Sequence, residues 1–150
     1  MNPYNKNIFF DISKLKYLGK NVIIGKTVRI RKPEEVTIKD ESIIDDFTYI
    51  SVTMDLGHNS HIASNVSISG GQAGRKFTMG NYSTISNGTS IHCASSGFKE
   101  CTLELPSIPK NEQIGGDNRD ITIGDYVTVG AHCCILPGVI VPEGVAFGAY

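Results

Sequence analysis

The chain has no tryptophan and no excess of either charge: 14 Lys and Arg stand against 15 Asp and Glu. A nucleic-acid binder carries a basic surplus, so that class is excluded as an expectation. No apolar run reaches the roughly 20 residues that a membrane-spanning helix needs. Residues 1–10 lack the basic-then-apolar order of a secretion signal. The four cysteines, Cys93, Cys101, Cys133 and Cys134, have no CxxC spacing, so no zinc knuckle and no structural metal are expected. Neighbours such as Cys133 and Cys134 also make an awkward disulfide framework. Reduced thiols in a cytoplasmic protein are the simpler reading.

What the sequence does have is a repeat. Ile38, Ile44, Ile50, Leu56, Ile62 and Ile68 fall six apart, and so do Ile123, Val129, Ile135, Val141 and Phe147. Shorter runs in the same rhythm are Ile24, Ile30 and Val36, and Met79, Ile85 and Ile91. Four places after most of these stands a smaller or β-branched residue: Ser42, Thr48, Ser60, Val66, Val127, Cys133, Val139, Val145. Met54 is the bulky exception. A period of six is neither the 3.6 of a helix nor the plain 2 of a strand. It is expected when three short strands form each coil of a triangular prism whose stacked coils share one core. A sandwich or meander would place turn signals about every 8–12 residues instead. The fold class expected is all-β, a parallel β-helix.

The rhythm breaks at Arg31–Thr37, at Ser69–Thr78, and at a long excursion, His92–Asp120, before Ile121 re-enters a strand. Long connections in compact domains tend to be functional, so the excursion is where chemistry is expected. Residues 1–18 are expected to cap the first coil, and residues 19–150 to form the prism. Phe147-Gly148-Ala149-Tyr150 opens a hexad and stops, which suggests a truncated chain or a covered end, because open coil ends need capping.

The run Ile123-Gly124-Asp125-Tyr126-Val127-Thr128-Val129-Gly130-Ala131-His132-Cys133-Cys134-Ile135-Leu136-Pro137-Gly138-Val139 resembles the hexapeptide-repeat acyltransferases. Gly19-Lys20-Asn21-Val22, Ile44-Asp45-Asp46-Phe47 and Pro106-Ser107-Ile108-Pro109 narrow the resemblance to the branch that acylates sugars for bacterial O-antigens and capsules. It spans residues 19–150. It implies a left-handed helix, a homotrimer, and acyl-CoA, with acetyl the expected group, as the donor in grooves between subunits. The acceptor implied is the hydroxyl or amine of a sugar or nucleotide-linked sugar.

The resemblance places Gly130, Ala131 and His132 on the CoA groove, with Gly148 and Ala149 continuing it one coil on. Small residues let a ligand approach the backbone, and an amide of Gly130 or Ala131 would hold the oxyanion. Many members place a histidine inside the long loop, and the sugar branch often has acids where Ser96 and Gly97 stand here. His92 is the one imidazole of the region and the expected proton acceptor, with Glu100 as its partner. Ser95, Ser96 and Glu104 are the expected acceptor contacts. If the acceptor is an amine, less base assistance is required, so these departures favour N-acylation.

Other residues have plainer readings. Asp45 and Asp46 suit hydrogen-bonded turns, or contact with an acceptor amino group. Cys93 is not required as a nucleophile for direct transfer. His58 and His61 invite a metal reading like that of the γ-class carbonic anhydrases, but Gly97 stands where His92 would need a histidine partner. A second reading of the whole is a non-catalytic trimeric scaffold or sugar-binding protein.

Overall fold

The computed structural model describes residues 7–70, 74–96, 103, 105 and 107–150. It is a three-sided parallel β-helix. The first coil is β1 (Tyr17–Leu18), β2 (Ile23–Ile24) and β3 (Arg29–Ile30). The second is β4 (Val36–Ile38), β5 (Ile43–Ile44) and β6 (Tyr49–Ile50), and the third β7 (Thr53–Leu56), β8 (His61–Ile62) and β9 (Ser67–Ser69). The fourth is β10 (Lys76–Met79), β11 (Thr84–Ile85) and β12 (Ser90–His92). The excursion contributes β13 (Ala94–Ser95) and β14 (Asp117–Asn118). The fifth coil is β15 (Ile121–Ile123), β16 (Thr128–Val129) and β17 (Cys134–Ile135), followed by β18 (Ile140–Val141) and β19 (Ala146–Phe147).

Every third strand pairs in parallel, which makes three faces. Face A stacks β1, β4, β7, β10, β15 and β18; face B stacks β2, β5, β8, β11, β16 and β19; face C stacks β3, β6, β9, β12 and β17. The hexad aliphatics point inward in register. On face C, Ile30, Ile50, Ile68, Ile91 and Ile135 follow one another up the axis, all buried. Full burial stabilises by about 1.5–3 kcal/mol per side chain of this size. Residues before the strand, such as Asn21, Asn59, Asn65 and Tyr126, take positive φ, so each corner turns sharply.

The small companion residues close two of the corners. Between faces A and B, Ser42, Ser60 and Ser83 form a buried hydroxyl column. Ser60 Oγ donates to Gly80 O at 2.7 Å and accepts from Ser83 N at 3.3 Å; Ser83 Oγ donates to Gly124 O at 2.8 Å and accepts from Val127 N at 3.0 Å. Each hydroxyl thus satisfies a carbonyl and an amide of the coil above. Ser60→Ala is expected to destabilise the fold by about 1–3 kcal/mol, measured by urea denaturation, because both groups stay buried and lose their partner.

The corner between faces C and A is built differently. There Val36, Met54, Phe77 and Ile121 stack in register and are buried. This explains Met54, the bulky residue in a slot otherwise kept small. All three breaks in the hexad rhythm leave the prism at this one edge. The first is a 3₁₀ turn, Pro33–Glu35, between β3 and β4. The second separates β9 from β10, and the third is the excursion between β12 and β15. Near the N-terminus a 3₁₀ turn, Ile12–Lys14, precedes β1, and Leu15 is buried against the core.

Candidate functional site

The C–A edge gathers the polar groups the inserted segments bring with them. His92, the last residue of β12, is partly buried and registers against Ser69, the last residue of β9. His92 Nδ1 lies 3.0 Å from Ser69 Oγ, while Ser69 Oγ lies 3.5 Å from Ile91 O as a donor. A hydroxyl has one proton to give. With that proton on Ile91 O, the hydroxyl accepts from Nδ1–H, and Nε2 is the nitrogen left with a free lone pair. Ser69 is a residue the sequence did not single out. It lies 23 positions from His92, and only the coil register brings the two together. Ser69→Ala is expected to lower kcat about tenfold with little change in KM, whereas Ser69→Thr keeps the hydroxyl and most of the rate.

The excursion returns on itself as an antiparallel arm. Ala94 pairs with Asn118 and Ser95 with Asp117, and further out Leu103 bridges Ile114. Arg119 N donates to Cys93 O at 3.1 Å, and the Arg119 guanidinium forks onto Asp117 at 2.6 Å through both Nε and Nη2. The same guanidinium lies against Gly138, where a Cβ would come within 2.6 Å of it. The base of the arm therefore lies against the turn between β17 and β18. Ser95 sits at that base, in β13, and its hydroxyl donates to Ser96 O at 3.2 Å. Glu100 and Glu104 lie outside the described residues.

Cys93 is fully buried, and its thiol faces Lys76 O at 3.8 Å. Burial first, and then the nearby Asp120 carboxylate, push this thiol up to about 11. It stays protonated near neutrality and is no nucleophile. Lys76 bridges Asp55 at 2.5 Å, and its amide donates to Asp120 at 3.0 Å, which pins the strand beneath the arm.

Gly130, Ala131 and His132 lie at a different corner, between faces B and C. Gly130 stacks backbone on backbone against the next coil: a Cβ there would meet Gly148 C and O at 2.5 Å and Ala149 N at 2.7 Å. The close approach expected of Gly130 is thus made by its own chain. Its N–H donates to Phe147 O at 3.2 Å, so it is not available to an oxyanion. Ala131 N–H donates to no group among the described residues and is the donor that remains. The His132 ring is seated over Gly88, whose added Cβ would come within 2.4 Å of Nδ1, and stacks on Tyr150 at 5.3 Å. Gly88 also has φ +71°. Gly88→Val is expected to cost about 1–3 kcal/mol through strain and collision with His132, read as a lower Tm.

The remaining candidates have local partners. Asp46 Oδ1 accepts from Thr27 N at 2.8 Å and Thr27 Oγ1 at 2.7 Å, and these bonds, the hydroxyl's first, lower its pKa. This is the turn role. A carboxylate depressed in the folded state stabilises above its unfolded pKa and loses that contribution as pH falls through the folded value. The Tm gap between the chain and Asp46→Asn is therefore expected at neutral pH and to close in acid, below about pH 4. Asp45 Oδ2 lies 2.8 Å from His61 Nε2 on the outside of face B. His58 Nδ1 meets Asn59 Oδ1 at 2.9 Å, and its ring stands edge-on to Tyr82. Among the described residues no group of three or more His, Cys, Asp or Glu is placed to hold a metal, and no helix is long and apolar enough to cross a membrane.

Comparison with known proteins fits this architecture. No family model matches the chain. A dTDP-4-amino-4,6-dideoxy-D-glucose acyltransferase of Escherichia coli is 30% identical over 137 residues, which cover 89% of this chain and 69% of that protein. The solved structure of AntD, an N-acyltransferase from Bacillus cereus in complex with dTDP and 3-hydroxybutyryl-CoA, superposes with a TM-score of 0.83. It is 30% identical, over 95% of this chain and 77% of AntD. A serine-to-cysteine variant of AntD, solved with dTDP-4-amino-4,6-dideoxyglucose and coenzyme A, matches equally well, at 0.83 and 30% identity, over 95% of this chain and 78% of the variant. With the hexad prism, the single large excursion and these relatives together, the chain belongs to the hexapeptide-repeat sugar acyltransferases.

Proposed function

We propose that this chain transfers an acyl group from acyl-CoA to the amino group of a nucleotide-linked 4-amino sugar. The observation that carries the proposal is the superposition, over 95% of the chain, on an N-acyltransferase holding both dTDP and an acyl-CoA. The amine attacks the thioester carbon, and a C–N bond forms as charge gathers on oxygen. Ala131 N–H is the backbone donor proposed to meet that oxyanion. The C–S bond then breaks, and CoA leaves as its thiol. His92 Nε2 takes the proton that the nitrogen sheds and passes it to the departing sulfur. Ser95 and Ser96, at the base of the arm, are proposed to contact the sugar together with Glu104, and Glu100 is proposed as the partner of His92; both glutamates lie outside the described residues. His132, Gly148 and Ala149 complete the donor groove.

Within one chain His92 lies on the C–A edge and Ala131 on the B–C edge, with the outer surface of face C between them. A site containing both is completed when the B–C edge of one copy meets the C–A edge of the next. This supports a homotrimer, and the exposed Leu103, Leu105 and Ile114 of the arm give a neighbouring copy apolar surface to cover. A cytoplasmic biosynthetic role, supplying acylated sugars to surface polysaccharide, agrees with nucleotide-sugar and CoA substrates.

The test offers matched dTDP-4-amino and dTDP-4-hydroxy sugars with acetyl-CoA and follows thiol release. The amino sugar is expected to turn over at least about tenfold faster, because a neutral amine attacks with less base assistance. Turnover of the hydroxy sugar alone would move the assignment to O-acylation, and turnover of neither would overturn it.

A further inference from the structure

The corner between faces A and B carries an aromatic ladder that the reaction at His92 does not use. Tyr82 and Tyr126 occupy the same turn position in successive coils, both with positive φ. Their rings stack at 5.4 Å with 1° between planes, and His58 closes the lower end edge-on at 4.9 Å. One coil further up, the same position is Gly144, with φ +74° and nothing within 4 Å of where its Cβ would be. Among the described residues, Tyr126 is therefore a half-exposed ring with an open slot at the next rung. The corner between faces B and C shows what the slot can hold. There, at the same rung spacing, Tyr150 stacks on His132, one coil below, at 5.3 Å. At this rung one corner carries a ring and the other a glycine, with no described residue within 4 Å of its Cβ position.

We infer that the Tyr126 face and the slot over Gly144 bind the planar nucleobase of a substrate. This rests on the proposed function, in which both substrates carry such a base: adenine on acyl-CoA and thymine on the sugar nucleotide. A base–aromatic stack needs a ring face and a gap of one ring's thickness, and it tolerates any base. A glycine at the next rung provides that gap. A side chain there, held at the coil spacing of about 4.8 Å, would fill it.

The absence of tryptophan makes the test clean. Tyr126→Trp keeps a stacking face and supplies the one indole signal of the protein. The variant is titrated with coenzyme A against pantetheine, and with the sugar nucleotide against the corresponding sugar 1-phosphate. Saturable quenching is expected from one base-bearing ligand and not from its base-free counterpart. Quenching by coenzyme A assigns adenine, and quenching by the sugar nucleotide assigns thymine. Quenching by neither, or equally by the base-free partner, overturns the inference. An indole already shielded from iodide before ligand is added overturns it too, because a second copy then covers the face. The companion variant is Gly144→Asn, since asparagine tolerates positive φ and puts a planar group into the slot. It is expected to raise the KM of the same ligand by about tenfold with kcat little changed; an unchanged KM for both substrates would contradict the stack. Failure of the wild-type chain to acylate either sugar would refute the proposed function while leaving the quenching result to stand or fall alone.

Discussion

His92→Ala is expected to lower kcat by about 10²–10⁴-fold while KM for acyl-CoA changes little. The prediction rests on position and on tautomer. His92 ends β12 at the point where the excursion leaves the prism, two residues before β13, the strand that carries Ser95. With the Ser69 hydroxyl accepting a hydrogen bond from Nδ1–H, that proton stays on the ring and Nε2 keeps the free lone pair. Removing the imidazole leaves the prism intact, because the inward residue of that rung is Ile91, not His92. A loss in kcat without a loss in Tm therefore separates chemistry from folding. The size of the effect reports the acceptor. An amine sheds its proton after attack and needs modest help, which places the result near 10². A hydroxyl must lose its proton as it attacks, which places the result near 10⁴. The measurement is initial-rate thiol release with both substrates varied. Near-normal turnover would remove His92 from the mechanism.

The prism was legible because its driving force is periodic. Each inward aliphatic meets its counterpart one coil away, so a spacing of six is written directly into Ile38 through Ile68 and Ile123 through Phe147. Which residues share an edge was less legible, since inserted segments change the sequence distance between neighbours. Ser69 and His92 are 23 apart, whereas Ser83 and Val127, equally adjacent in space, are 44 apart. Counting hexads in threes across each break would have shown that every insertion leaves from the C–A edge. Met54 was the signal: a bulky side chain fits a companion slot only where the tight hexad turn is absent. The amide of Gly130 is committed within the chain for a related reason. The glycine is there so that two coils can touch, and that contact uses its N–H on Phe147 O.

The corner that makes the site possible is also where the fold is most vulnerable to a single cavity. Phe77 is completely buried and heads the largest of the fully buried side chains. It registers between Met54 below and Ile121 above, and its neighbour Lys76 offers the carbonyl against which the Cys93 thiol packs. Phe77→Ala is expected to destabilise the chain by about 3–5 kcal/mol, from lost burial and the cavity left behind. Chemical denaturation would show this as a lower midpoint at unchanged slope. Phe77→Leu retains most of the volume and is expected to cost less than half as much, roughly 1–2 kcal/mol. The two variants also test how rigidly the corner seats the arm. Ile121 carries the chain back from the excursion, and Cys93 carries it out. A cavity between Met54 and Ile121 loosens both roots of the arm at once. In whatever fraction of Phe77→Ala remains folded at low temperature, kcat is expected to fall about tenfold or more, since small displacements of a proton acceptor are expensive. Full specific activity in the folded fraction would show instead that the pairing of Asp117 and Asn118 with β13, with the bonds of Arg119 to Asp117 and to Cys93 O, holds the arm without the core beneath it.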